Sequence, residues 1–295
     1  MTFCRKVLTT GSAINSMPSL VTSFRYPSAR RLELMLGRID AIAAFSELSI
    51  RKFLSAAACA GGPGQYLRSL STEYHINVTH VDPNLLPLRI TQLQIVSIHQ
   101  VFEDFLDAFK GEHPLSFSWS ARKQEETKLD HLWANVVGSG AVTSETQGEL
   151  VLVEYYRFAR NRFLHGSTKK QPKLTDLHEI VRQHPALRKC SGPNGYDGLN
   201  FEDVVIFARS VLGVAQALCR NSIPTEAQVV AMVRALDGKD AAPGLPAVRL
   251  KEYRKFRHNA KRLHGKLSTL LHSLYGIQPG SSPAVIAELA SGLLA

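Results

Sequence analysis

The segment Glu154-Tyr155-Tyr156-Arg157-Phe158-Ala159-Arg160-Asn161-Arg162-Phe163-Leu164-His165-Gly166 is the stretch of the chain most informative about chemistry. An α-helix turns about 100° per residue. With Arg160 as origin, Arg157 falls near 60°, Asn161 near 100° and His165 near 140°. The opposite arc, from about 160° to about 320°, holds Phe158, Val151, Tyr155, Ala159, Leu152, Phe163 and Tyr156. One face therefore reads as core, and the other brings two arginines, an amide and an imidazole to the end of the helix. The division is uneven: Arg162 lies inside the apolar arc, and Val153 and Leu164 lie on the polar side. Histidine transfers protons near neutral pH. Arginine stays charged and grips phosphate with two parallel donors. Such a set suits phosphoryl transfer, which needs charge stabilisation and a proton carrier and need not use metal. Asn161 would orient the histidine or bind a phosphate oxygen. A solvated basic helix end, where Arg and His complement the macrodipole, accounts for the same residues without catalysis.

Helices must position this set, because periodic 3.6-residue patterns dominate the chain and alternating ones are scarce. A first helix is expected from Arg31 to Ala60, with Leu32, Leu36, Ile39 and Ala43 on one face, stopped by Gly61-Gly62-Pro63-Gly64; an irregular stretch follows it. A second spans Arg89 to Lys110, with Ile98, Val101, Phe102, Phe105 and Phe109 aligned. A third covers Ser120 to Val137. A fourth runs from Ser144, whose spacing to Gln147 suits a capping box, to His165, with Gly166 ending it. A short helix at 174–183, a long one from Phe201 to Arg220 capped by Asn200, and further helices at 225–236, 246–276 and 283–294 complete the pattern. The fold class is all-α, with a bundle in the middle of the chain and no internal repeat.

On the second helix His99, Glu103 and Asp107 recur at four-residue steps. A carboxylate here would orient Arg160 or His165, or the three form a solvated stripe. A metal site lacks a further ligand, so none is expected. The 246–276 helix carries Arg249, Lys251, Arg254, Lys255, Arg257, Lys261, Arg262 and Lys266 against the single acid Glu252. Its apolar residues Tyr253, Phe256, Ala260, Leu263, Leu267, Leu270 and Leu274 step by three and four and define a helix-packing seam, for the chain's own bundle or for a partner. With that seam buried, Arg254, Lys255, Lys261 and Lys266 would meet RNA phosphates.

The composition agrees. The 295 residues carry a net charge of +10, with 44% hydrophobic and 20% charged residues. This excludes a disordered tail, a collagen and a disulfide-framework peptide, and the surplus of cations favours anionic partners. Solubility alone would also explain it. Runs of roughly 18 apolar residues, which would mark a transmembrane helix, do not occur. Cys4, Cys59, Cys190 and Cys219 show no short spacing, which fits a reducing, cytoplasmic setting. Residues 1–30 read as a basic, disordered arm, and their composition would also suit an organelle transit peptide. Phosphate-loop, serine-hydrolase, zincin and paired Cys-x-x-Cys motifs are absent from the sequence.

Arg160-Asn161 followed after three residues by His165 resembles the Arg-Asn-x-x-x-His motif of the HEPN superfamily. The helix around Ile98–Lys110 resembles the HEPN first helix, which often carries an acid facing the site, and Asn200–Arg220 resembles the closing helix. The likeness spans roughly residues 86–220. It implies a four- to five-helix HEPN-like bundle at 86–220, flanked by an N-terminal helix and linker at 31–85 and a C-terminal helical region at 221–295. It further implies a metal-independent endoribonuclease without cofactor, usually a homodimer whose two motifs meet in one cleft, acting as a toxin or antiphage effector with a neutralising or activating partner protein. His165 would transfer the proton, Arg160 clamp phosphate and Asn161 support them. Arg157 and Glu103 are added as supporting residues. The alternatives are a catalytically silent HEPN module that binds RNA, nucleotide or protein, and a helical scaffold.

Overall fold

The computed structural model describes residues 24–78, 82–138, 140, 142–166, 172–240 and 246–294. Residues 1–23 of the expected arm lie outside the described residues. Among those described there is no strand. Among the described residues eleven α-helices form: α1 Pro27–Cys59, α2 Pro63–Tyr74, α3 Leu86–Glu112, α4 Lys128–Val136, α5 Ser144–His165, α6 Leu174–Gln183, α7 Phe201–Arg220, α8 Glu226–Leu236, α9 Leu250–Tyr253, α10 Ala260–Tyr275 and α11 Pro283–Leu294. The all-α expectation therefore holds. The chain divides into two compact units, one of Tyr26–Ile223 and one of Pro224–Ala295 with the segment ending at Arg25.

The first unit is a bundle of α1, α3, α5 and α7, with α2 lying on α1, α4 on α3 and α6 on α5. The N-terminal helix, expected as a separate flank, is thus a bundle member. It starts at Pro27, earlier than Arg31, because proline suits the first helical turn and Tyr26 anchors the entry. Tyr26 is fully buried and its hydroxyl donates to the Ser222 carbonyl at 2.5 Å. The last residues of the expected disordered arm are accordingly ordered. The irregular stretch expected after Gly64 is largely α2. No side chain of α2 is buried, so the core-facing periodicity that reveals other helices is weak there. The third expected helix begins at Lys128, not Ser120, because Thr127 and Asp130 form the capping box that sets its start.

Helices α5 and α7 meet through polar contacts as well as apolar ones. Asp203 on α7 is fully buried. Its carboxylate accepts from the Tyr156 hydroxyl at 2.9 Å, from the Asn194 backbone and side chain at 3.0 and 2.9 Å, and from the Asn200 amide at 2.9 Å. Burial pushes its pKa up, and these donors pull it back. Nearby, the Glu149 carboxylate of α5 occupies space that only glycine at 213 leaves open: a Cβ there would lie 1.8 Å from its oxygen. Glu149 also faces His184, just beyond α6, at 3.1 Å.

In the second unit, α11 packs on α8 and α10. Phe24 stacks on Tyr275 at 5.3 Å and the Arg25 amide donates to the Tyr275 carbonyl at 2.7 Å. Leu263, Leu267, Leu270 and Leu274 are buried, so the seam packs on its own chain. The continuous helix expected at 246–276 is broken: α9 passes into a 3-10 turn at Arg254–Phe256, and α10 starts afresh with Asn259 accepting from the Arg262 amide at 2.9 Å. Asn259 competes for backbone donors and favours a cap over a helix interior, and five nearby cations repel one another.

The Asp203 hub yields an expectation. Asp203→Ala should lower the unfolding free energy by about 3 kcal/mol or more, because several buried donors lose their acceptor together. Urea titration measures this; a loss under about 1 kcal/mol would remove the hub from its structural role.

Candidate functional site

The helix carrying the motif is α5. Thr143 caps it, accepting from the Thr146 amide at 3.2 Å, in place of the expected Ser144. Gly166 ends it in the left-handed conformation at φ 62°. Leu152, Tyr155, Tyr156 and Ala159 are buried as the helical arithmetic requires. Two positions exchange: Val153 is buried and Val151 is 43% exposed. The buried arc is turned toward Val153 because α3 and α7 cover α5 from two sides. Arg162, misplaced by the arithmetic in the apolar arc, is exposed, pairs with Asp197 at 3.3 Å and lies 5.7 Å from the Tyr196 ring centroid.

The remaining polar residues of α5 open onto a groove of about 430 Å³. From α3 it is lined by His99, Gln100 and Glu103; from the segment entering α4 by Arg122, Glu126, Thr127 and Lys128; from α5 by Arg157, Arg160 and Asn161. Four cations thus face two carboxylates, a surplus that attracts anions. An adjoining, more apolar pocket runs from His99 and Arg157 toward Trp133 and Leu150.

Within the groove the two arginines of α5 differ. Arg157 is committed: its Nε donates to Glu154 at 2.7 Å and Nη2 completes a two-point pair. That pair holds its pKa above the usual value. Arg160 donates from Nη1 to the Asn161 Oδ1 at 2.8 Å. Its Nε is buried with no hydrogen-bond partner among the described residues. A phosphate oxygen would satisfy that donor.

The expected acid Glu103 reaches the groove but pairs with Lys128 at 3.1 Å, and Lys128 also holds Asp107 at 2.7 Å. Lys128 intercepts the carboxylates because it heads α4 directly opposite α3, so the expected pairing of Glu103 with Arg160 or His165 is not the one formed. The hydrogen bond to Asp107 and those to Glu103 raise the Lys128 pKa. His165 is exposed and is not among the groove-lining residues. It follows Asn161 by four residues on the same helix, about 6 Å farther along, and so stands beyond the groove's end. Sequence reasoning missed Arg122 and Lys128. The only signal for Lys128 was its place at the first position after the Thr127 cap. Among the described residues no group of three or more His, Cys, Asp or Glu is placed to hold a metal ion.

Four other expected residues, Arg254, Lys255, Lys261 and Lys266, lie in the second unit and are all exposed. Phe256 receives Lys255 at 5.4 Å and Arg262 at 4.8 Å over its ring. Among the described residues none of the four has a carboxylate partner. Among those residues also, no helix is long and apolar enough to cross a membrane. Cys59, Cys190 and Cys219 are free thiols, and Cys4 lies outside the described residues.

His99 supplies a pH signature. Burial lowers its pKa below 6.5, Glu103 opposes this, and Arg160, Arg157 and Lys128 add to it. Between the lowered value and 6.5 the unfolded chain binds a proton that the folded one rejects, so stability is full above that window and falls with acidification through it. His99→Gln should therefore show a smaller stability loss between about pH 7.5 and about pH 5 than the parent chain in urea titrations. Equal losses would assign the effect elsewhere, His113 being another imidazole lowered by burial.

No protein-family model, no curated protein and no solved structure matches the chain.

Proposed function

We propose that this chain is a metal-independent endoribonuclease of HEPN type, acting in the cytoplasm as a toxin or antiphage effector. The observation that carries the reading is Arg160: a guanidinium tied at one end to Asn161, with a buried, unsatisfied Nε, in a groove with a surplus of cations. An unsatisfied buried donor costs about 1–3 kcal/mol, and an anionic ligand removes that cost.

In this reading the phosphate of a bent RNA strand lies on Arg160, with Asn161 fixing the plane of the fork. Arg157, anchored by Glu154, offers its remaining donor without reorganising. Glu103 and Lys128 hold the opposite wall. The ribose 2′-hydroxyl attacks the adjacent phosphorus, and His165, just beyond the groove's end, carries a proton. Arg254, Lys255, Lys261 and Lys266 bind backbone phosphates elsewhere on the strand. A second copy of the chain is proposed as partner because the exposed end of α5 presents His165 and the 43% exposed Leu164. A neutralising or activating protein would act on the same end. A binding module without catalysis shares this geometry, and salt-dependent RNA binding without cleavage would select it.

His165→Ala should lower the cleavage rate by about 10²–10⁴-fold, the usual contribution of general acid–base catalysis. Stability should change by less than about 1 kcal/mol, because the side chain is exposed. Arg160→Ala and Arg160→Lys should both fail, since an ammonium lacks the fork. Products should carry cyclic phosphate and 5′-hydroxyl ends, and EDTA should leave the rate unchanged. Full activity in His165→Ala, or EDTA inhibition reversed by a divalent ion, would sink the mechanism.

RNA affinity should fall steeply with salt. Replacing Arg254, Lys255, Lys261 and Lys266 by Gln should flatten the log–log slope by up to about 3, at about 0.7 per phosphate contact on a single strand. An unchanged slope would leave that segment a structural role alone.

A further inference from the structure

His99 sits in the groove beside Arg157, Arg160 and Asn161 and is 9% exposed. Buried polar groups are normally hydrogen-bonded. Elsewhere in this unit several imidazoles have hydrogen-bond partners. His184 faces Glu149 at 3.1 Å and His178 the Pro193 carbonyl at 2.7 Å, whereas His131 approaches Glu126 only at 3.5 Å and leaves its Nε2 buried without a hydrogen bond. The Nδ1 of His113 accepts from the Leu115 amide at 3.2 Å. Among the described residues His99 makes no hydrogen bond from either ring nitrogen. Its neighbours on α3 are engaged: Gln100 donates to Asp104 at 2.8 Å and Glu103 pairs with Lys128. An enclosed imidazole left uncommitted at the wall of a cationic groove is poised for a ligand.

We propose that His99 is a catalytic residue of this groove: the general base that takes the proton of a ribose 2′-hydroxyl whose adjacent phosphate is held by Arg160. The assignment rests on the ribonuclease reading and deepens it, since cleavage by 2′-hydroxyl attack needs a base as well as an acid. The step balances. The O2′–H bond breaks and its proton passes to a ring nitrogen of His99. The freed electron pair forms the O2′–P bond, and the P–O5′ bond breaks. The departing oxygen takes a proton from His165 in its imidazolium form, leaving a 2′,3′-cyclic phosphate and a 5′-hydroxyl. Water then restores both imidazoles.

The surroundings suit a base, which must start neutral. Glu103 faces His99 from α3, Lys128 and Asp130 from α4, and Glu154, Arg157 and Arg160 from α5. Arg122 and Glu126 line the same groove. Glu154 is spent on Arg157, and Glu103 on Lys128. Burial and the three nearest cations therefore outweigh Glu103 and disfavour the imidazolium.

The test uses the full chain and a single-stranded RNA oligonucleotide, with His99→Gln and His99→Asn beside the parent, circular dichroism checking each fold. Expected is a fall in kcat of about 10²-fold or more with little change in KM. The acid limb of the pH–rate profile should vanish with it. A second measurement follows the His99 ring resonance of the parent chain by NMR while inorganic phosphate is added; the resonance should move and its titration shift to higher pH. No cleavage by the parent chain overturns the ribonuclease reading and this assignment together. Cleavage by the parent with folded His99 variants equally active overturns this assignment alone. Should both variants unfold, a His99 resonance indifferent to phosphate overturns it, and a phosphate-dependent shift sustains it.

Discussion

The rotation of α5 about its own axis decides whether the chain has a groove with guanidinium groups in it, and one buried bond sets that rotation. Tyr156 and Asp203 are both fully enclosed, and the hydroxyl donates to the carboxylate at 2.9 Å. A shift of one residue turns a helix by about 100° and would carry Arg157 into the place of Tyr156, opposite an apolar wall. With Tyr156 held, Arg157 and Arg160 fall on the arc that faces α3 and α4. The same carboxylate accepts from Asn200 and Asn194, so it caps α7 and closes the preceding loop while it orients α5. Glu149 over Gly213 adds a steric limit to the approach of α5 and α7. Position along the axis and rotation about it are thus set by two carboxylates, each with partners on more than one element.

Much of this was readable from residue order, for local reasons. Asn200 before Phe201 and Gly166 after His165 act within one turn, and α7 and α5 appear where those signals lie. Helix α2 was not readable because it buries no side chain and so leaves no stripe. The break at 254–259 was hidden for the opposite reason: the apolar steps from Tyr253 to Leu274 continue through it, whereas Asn259 and the crowded cations end the helix locally. Membership of α1 in the bundle is a long-range fact, since it depends on Tyr26 reaching Ser222 across the unit.

The site was legible to the extent that one helix carries it. Arg157, Arg160 and Asn161 share a face by arithmetic, and the groove takes them together. What a single helix cannot reveal is which side chains arrive from elsewhere. Lys128 is separated from Glu103 in sequence, yet its ammonium satisfies both Glu103 and Asp107. That engagement withdraws the carboxylates from the arginines and leaves Arg160 and His99 without anionic partners. The electrostatics of the groove therefore follow from α4, an element whose start depends on Thr127 and Asp130.

This division of partners has an energetic direction. Glu154 neutralises Arg157 and Lys128 pairs with both Glu103 and Asp107, so those groups contribute to the folded state without a ligand. Arg160 and His99 do not: the Arg160 Nε is buried without a hydrogen bond, and the His99 ring, 9% exposed, has no hydrogen-bond partner among the described residues. The unmade bond of the Arg160 Nε costs about 1–3 kcal/mol, and a structural role would be served better by an apolar side chain of similar volume. Arg160, the first residue of the Arg160–His165 motif, and His99, facing it from α3, share one groove and place these unmet contacts where an anion would meet them. Interactions withheld until charge arrives are those that favour a transition state over the empty protein.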